Sequence, residues 1–256
     1  VDADWAGQRG WGVRMDWGPA GARALAAGSV VVVVVDVLSF TTSVSVAVEN
    51  GTRVLPCAWH DERADRTAVR HRAERAVARS KATVRQPWSL SPAALRRAPA
   101  PARLVLPSPN GSAISAAVTD APVAAACLRN VTAVAQWIRA QGWGTLDHPV
   151  SVIAAGESWP GQPILRPAIE DWLGAGALIS ALARHGAGPL SPEATTARAS
   201  HDAVTDLPAL IRDCASGREL TAIGFAEDVE IAVEIDSSTV VPVLHDGAFT
   251  DLAAIN

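Results

Sequence analysis

Asp36 follows six consecutive valines, Val30 to Val35. Such a run belongs inside a core, so the acid that ends it sits at the core's rim. An unpaired carboxylate there is costly, and a functional partner is the expected compensation. Three more acids occupy comparable places: Glu157 after Ile153-Ala-Ala-Gly, and Glu170 with Asp171 at the head of an amphipathic segment. Small polar residues follow other apolar runs: Ser39, Thr41 and Thr42 after Asp36; Ser108, Asn110, Gly111 and Ser112 after Leu106; Arg129 and Asn130 after Cys127. These residue types open helices, and a helix N-terminus offers free N–H groups to an anion. Carboxylates supply oxygen ligands to a hard cation such as Mg²⁺. Anion-binding helix starts beside metal-ligating acids are what phosphoryl transfer needs. The structural alternative at each position is plain capping, and for Glu170 and Asp171 an ordinary partnership with the helix dipole.

The elements that must position these residues follow from periodicity. Ser29 to Leu38 reads as a strand buried on both faces, the habit of a parallel or mixed sheet covered by helices. Thr41 to Asn50 reads as a helix closed by Asn50-Gly51. Arg53 to Cys57, Arg103 to Leu106, Val123 to Cys127, Val150 to Ala155 and Thr239 to Leu244 read as further strands. Helices are predicted over Asp61 to Lys81, in a short segment after Gly111, from a cap at Asn130, over Glu170 to Arg184, and over Glu227 to Ile235. Gln86 to Ala102, rich in Pro and Ala, reads as a loop. Strand alternating with helix implies an α/β fold with a mostly parallel or mixed sheet, as one domain over residues 1–256. Open α/β sheets bind ligands outside the carboxyl ends of their strands, where the polar residues above fall.

Composition narrows the partners. A net charge of -4 argues against nucleic acid or an anionic membrane surface. The longest apolar run is too short to span a bilayer, and no charged segment with a cleavable apolar stretch opens the chain, so a cytoplasmic location is the expectation. Three scattered cysteines without a C-x-x-C make a zinc site or disulfide framework improbable. Cys57 and Arg63 have the spacing of a cysteine phosphatase loop, but Asp61 and Glu62 inside it would repel phosphate. No G-x-G-x-x-G follows a strand, which disfavours a dinucleotide. Trp5, Trp11 and Trp17 are expected to pack on the body of the protein. A homo-oligomer stays open.

Several segments, in order along the chain, resemble the 2-phosphosulfolactate phosphatase family. They are VVVDVLSFTTSV from Val33 to Val44, PSPNGS from Pro107, CLRNVTAVA from Cys127, IAAGE from Ile153 and IEDWLGAGAL from Ile169. GFAEDVEIAVEID from Gly224 and VVPVL from Val240 complete the series. The resemblance implies a three-layer α/β fold, Mg²⁺, and hydrolysis of a phosphate monoester on a small sulfonated acid. It gives candidate site roles to Asp36, Asn110, Gly111, Asn130, Glu157, Glu170 and Asp171. The resulting expectation is a Mg²⁺-dependent phosphatase with Asp36 and Glu157 catalytic and Asp36, Glu170 and Asp171 holding the metal. Ser39, Thr41, Thr42, Asn110, Gly111, Ser112, Arg129 and Asn130 would bind the phosphorylated substrate. Water activated by the cation, or Asp36 itself, would attack phosphorus. A catalytically silent homologue that binds a small anion, or a hydrolase or lyase acting on another anion, are the alternatives.

Two departures from the family pattern carry a further expectation. The family reads D-x-L-R-A-T-T after its first motif strand, where this chain has Ser39 and Phe40. A Gly-Glu-Arg segment expected before Ser89-Leu-Ser-Pro92 is not recognisable. The substrate pocket should therefore lack a guanidinium and handle phosphosulfolactate poorly, unless Arg129 or Arg166 replaces the charge.

Overall fold

The computed structural model describes residues 4–58, 61–162 and 164–252. The ends of the expected 1–256 domain therefore lie outside the described residues. The strands are β1 (Val13–Trp17), β2 (Val31–Val35), β3 (Arg53–Cys57), β4 (Glu74–Arg75), β5 (Arg103–Pro107), β6 (Val123–Ala126), β7 (Val150–Ala154), β8 (Glu157–Ser158), β9 (Leu165–Arg166), β10 (Pro242–His245) and β11 (Ala248–Asp251). The helices are α1 (Gly18–Ala26), α2 (Phe40–Glu49), α3 (Glu62–His71), α4 (Pro92–Arg97), α5 (Gly111–Ala117) and α6 (Val131–Ala140), followed by α7 (Ile169–Arg184), α8 (Pro192–Asp202), α9 (Leu207–Asp213), α10 (Ala215–Ala222) and α11 (Ala226–Ala232).

Nine strands form one mixed, mostly parallel sheet in the order β1-β7-β2-β6-β10-β11-β3-β5-β4, flanked by helices; β8 and β9 pair apart from it. The valine run explains the centre. Val31, Val33 and Val35 of β2 face one core cluster with α6, α7 and α8; Val32 and Val34 face the other with α1, α2 and α5. Period-two alternation thus buries both faces with the same residue type. Helix α2 is buried from Phe40 to Val48, which is why its sequence is apolar or small nearly all round. Helix α7 reaches β2 closely because Gly174 has no side chain; a Cβ there would lie 2.7 Å from Val37 Cγ2.

The β10–β11 hairpin is antiparallel to both of its neighbours, β6 and β3. Consequently β3, β5 and β4 run opposite to β1, β7, β2 and β6. The expectation of one shared carboxyl edge therefore needs correction. The loop after β5 reaches β2 because α5 packs back against α1, α2 and β2.

Other boundaries also differ from expectation. The helix predicted over Asp61 to Lys81 ends at His71, where Arg72 adopts a left-handed conformation; Ala76 and Val77 then run extended, with N–H bonds to Val105 and Trp88. Helix α4 lies within the predicted Gln86–Ala102 loop. The helix after Glu227 stops at Ala232, and the last predicted strand is a hairpin with β11. Trp5 is exposed rather than packed, whereas Trp17 stacks on Trp172 at 5.7 Å.

Strand β1 forms one edge of the sheet, and its outer side is occupied. Val13 exchanges bonds with Pro189 and Ser191, while the Gln8 side-chain amide bonds both the N–H and the C=O of Met15. No helix among the described residues is long and apolar enough to cross a membrane.

Candidate active site

Asp36 leaves β2 directly beneath the first turns of two helices. Its Oδ1 accepts from the Phe40 N–H of α2 at 3.0 Å, and its Oδ2 accepts from the Gly111 N–H of α5 at 3.0 Å. Helix N-terminal N–H groups that were expected to meet a phosphate thus meet a carboxylate of the chain itself. Gly111 is required for this approach: a Cβ would lie 2.2 Å from Phe40 Cδ1 and 2.9 Å from Asp36 Oδ2. Asp171, at the head of α7, makes a parallel arrangement. It accepts from the Val37 N–H at 2.7 Å and from the Gly156 N–H at 2.9 Å, tying β2 and β7 to α7. Beside it Glu170 is buried and accepts from the Cys214 thiol at 3.3 Å. Glu157, half-buried on β8, accepts from Asn110 Nδ2 at 3.0 Å.

These four acids feel one another. Asp36 is pushed up to about 7, chiefly by burial and also by Glu157 and Glu170, against the opposing Phe40 and Gly111 N–H groups. Burial raises Asp171 well above the usual range, helped by Asp36 and Glu170. Burial also raises Glu157, against the Asn110 bond. No Lys or Arg among the described residues forms an ion pair with Asp36, Glu170 or Asp171. Burial and Glu170 push the Cys214 thiol up to about 12, so it stays a neutral donor.

A sign follows for stability. An acid whose folded pKa exceeds its unfolded value stabilises the fold below the unfolded value, and that contribution is lost as pH rises through the folded one. The lowered surface acids, such as Asp61 and Glu234, act at more acidic pH. Between pH 5 and 8 the raised acids dominate, each worth about 1.4 kcal/mol per pH unit once titrating. Denaturant unfolding in metal-free buffer should therefore show stability falling by a few kcal/mol from pH 5 to pH 8. Equal stability at both ends would show that these carboxylates are already compensated.

The other expected site residues divide. Thr41 Oγ1 donates to the Asp36 carbonyl, Thr42 Oγ1 to that of Val37, and Ser112 Oγ to that of Leu106, so all three hydroxyls are used inside the fold. Asn130 is fully buried, accepting from the Cys127 N–H and donating to Val240, which makes it a structural clamp. Arg129 is brought elsewhere. Its guanidinium bonds Ser45 and Glu49 and lies 3.5 Å from Glu234. Glu49 is at the far end of α2, about 13 Å from Phe40. Arg166, opposite Glu157 on β9, draws that acid's pKa down slightly. Arg63 chelates Asp61, an acid inside the Cys57–Arg63 stretch, of which residues 59 and 60 lie outside the described residues.

Sequence reasoning missed a guanidinium. Arg79 donates Nη2 to Ser39 Oγ at 2.7 Å and Nε to Asp228 Oδ2 at 3.0 Å, and lies over the Phe225 ring. Asp228 is buried on α11 and accepts as well from Ser91 Oγ at 2.5 Å and the Ala93 N–H. Nη1 of Arg79 has no partner among the described residues. The expectation of a pocket without a guanidinium beside Ser39 is thereby overturned: the charge arrives from another segment. The available signals were Ser91 in S-x-S-P, Asp228 in the C-terminal motif, and an Arg upstream of both.

The donor set is all oxygen and carries no protein cation, which suits Mg²⁺ chemically. No three His, Cys, Asp or Glu side chains among the described residues converge as a closed metal cage. Both oxygens of Asp36 and both of Asp171 already accept from backbone N–H groups, so a cation here would share these carboxylates with the backbone.

A search among curated proteins finds no match. A family model described as 2-phosphosulpholactate phosphatase matches residues 21–247, a span that includes Asp36, Arg79, Asn110, Gly111, Glu157, Glu170, Asp171 and Asp228. The chain belongs to the 2-phosphosulpholactate phosphatase family.

Proposed function

We propose that this chain is a Mg²⁺-dependent phosphatase acting on a small phosphorylated acid. One observation carries the reading: buried acids centred on Asp36 pair with no protein cation, and at Ser39, just beyond Asp36 at the start of α2, the Arg79 guanidinium arrives with a donor to spare. Acids without a cation call for a metal, and a spare guanidinium calls for an oxyanion. A phosphate ester with Mg²⁺ supplies both.

Asp36, Glu170 and Asp171 would hold the metal, which when bound polarises phosphoryl oxygens as a Lewis acid. Arg79, held in place by Asp228 and Phe225, binds a phosphate or acid oxygen through its free edge. The backbone N–H groups of Thr42, Ser112 and Ala113, which have no protein partner among the described residues, add donors. Glu157 is the proton carrier. Its raised pKa keeps a larger protonated fraction near neutral pH, and Asn110 fixes the carboxyl's orientation.

The test measures inorganic phosphate released from phosphorylated hydroxy acids and from 4-nitrophenyl phosphate, with Mg²⁺ and with EDTA. Wild type should turn over only with Mg²⁺. Glu157→Gln should lose about a hundredfold on the hydroxy-acid esters and far less on the aryl ester, whose leaving group needs no proton. Absence of turnover on every ester would overturn the phosphatase reading in favour of a silent anion binder.

A further inference from the structure

Arg53 and Arg103 begin β3 and β5 and are direct partners in the parallel register. Their side chains therefore leave the same face of adjacent strands, a placement that like charges disfavour unless something neutral or anionic lies between them. The chain does little to relieve it. Arg103 donates Nη1 to the His71 carbonyl at 2.9 Å, a neutral acceptor at the end of α3. Arg53 has no ion pair or side-chain hydrogen bond among the described residues, and its Nε is buried without a partner. A donor left in that state costs free energy that an anion would recover.

Both arginines line a cavity of about 180 Å³, together with Leu55, His71, Asp246 and Ala248. The volume is below that of ordinary organic-ligand pockets and suits an inorganic ion with some water. This cavity is not the site around Asp36. It lies at the amino ends of β3 and β5, about 13 Å along the strands from Pro107 and the loop bearing Asn110.

We infer that this cavity is a second anion site, which takes a small tetrahedral oxyanion of the phosphate class between Arg53 and Arg103. The forked guanidiniums match such an ion by paired, charge-assisted hydrogen bonds. His71 on the wall adds a ring N–H as a third donor. Asp246, at the tip of the β10–β11 hairpin and 3.4 Å from His245, opposes the anion and sets the affinity low. The inference does not rest on the phosphatase reading, since neither arginine touches the acids around Asp36.

The experiment titrates inorganic phosphate into the full chain by calorimetry at low ionic strength without Mg²⁺. Wild type should bind phosphate, and Arg53→Gln and Arg103→Gln should each weaken that binding roughly ten- to a hundredfold. Both variants should be at least as stable as wild type in phosphate-free buffer, because a repulsion is removed. Asp246→Asn should tighten binding. Arg79→Lys, which alters only the Ser39 end, should leave this binding in place. Phosphate affinity unchanged in Arg53→Gln, binding lost in Arg79→Lys alone, or no binding at millimolar phosphate would each overturn the proposal. So would an Asp246→Asn variant that is less stable with unchanged affinity, for then Asp246 is the arginines' real partner. If Arg53→Gln does not fold, Arg53→Lys replaces it: the charge stays, the fork is lost, and affinity should still fall.

Discussion

Gly111→Ala should lower stability by about 3 kcal/mol and remove activity with it. For a chain of this size that corresponds to a fall in melting temperature of roughly 6–12 °C. The added methyl would stand 2.2 Å from Phe40 Cδ1, 2.7 Å from its Cγ and 2.9 Å from Asp36 Oδ2. Phe40 has nowhere to retreat, being fully buried edge-on against Phe249 at 6.1 Å. Helix α5 must then move off, and the Gly111 N–H leaves the Asp36 carboxylate, orphaning one oxygen of the acid on which the site is centred. Gly7→Ala is the control, since a Cβ there meets nothing closer than 3.8 Å. A Gly111→Ala protein that melts with wild type would show that α5 is not pressed against Asp36 as described.

Arg79 should give the second large effect, and its two roles can be separated. Arg79→Met removes the partner of a buried acid: Asp228 is 1 % exposed and would keep only Ser91 and the Ala93 N–H. An orphaned buried charge costs about 3 kcal/mol, so this variant should be both unstable and inactive. Arg79→Lys keeps the charge beside Asp228 but cannot span to Ser39 with a fork. It should fold with near wild-type stability and lose one to two orders of magnitude in kcat/KM, the equivalent of one charge-assisted hydrogen bond at the transition state. Chemical denaturation and steady-state kinetics on the same preparations distinguish the two. Full activity in Arg79→Lys would mean that the residue only neutralises Asp228 and does not reach the substrate.

These variants also mark what the sequence could and could not reveal. Asp36 was legible because a valine run has one physical meaning, burial, and an acid that ends it demands an explanation. Glu170 and Asp171 were legible from their place at the head of a helix. Arg79 was not, because its meaning depends on Ser39 and Asp228, which lie 40 and 149 residues away along the chain. No local period records such a meeting. Arg129 shows the converse error: a basic residue after a strand looked like a phosphate ligand, yet the fold turns it along α2 to Glu49. The reversed sense of β3 and β5 was hidden for a similar reason. It is set by the β10–β11 hairpin, almost the last segment of the chain. Helices α8 and α9 announced themselves by Ser191-Pro192 and by Asp206 ahead of Pro208, whose side chains do cap Ala194 and Ala209; those signals were present and unread.

The Gln8 amide at Met15 bears on how copies of this chain could assemble. A bare edge strand invites a neighbour to extend the sheet, and β1 would be a natural place for it. Here one side chain from a short turn imitates the missing strand, and Pro189 with Ser191 does the same at Val13. The opposite edge, β4, is two residues long, too brief to hold a partner's ladder. The sheet is thus finite at both ends by its own means. Neither edge therefore offers a second copy a bare strand on which to continue the sheet.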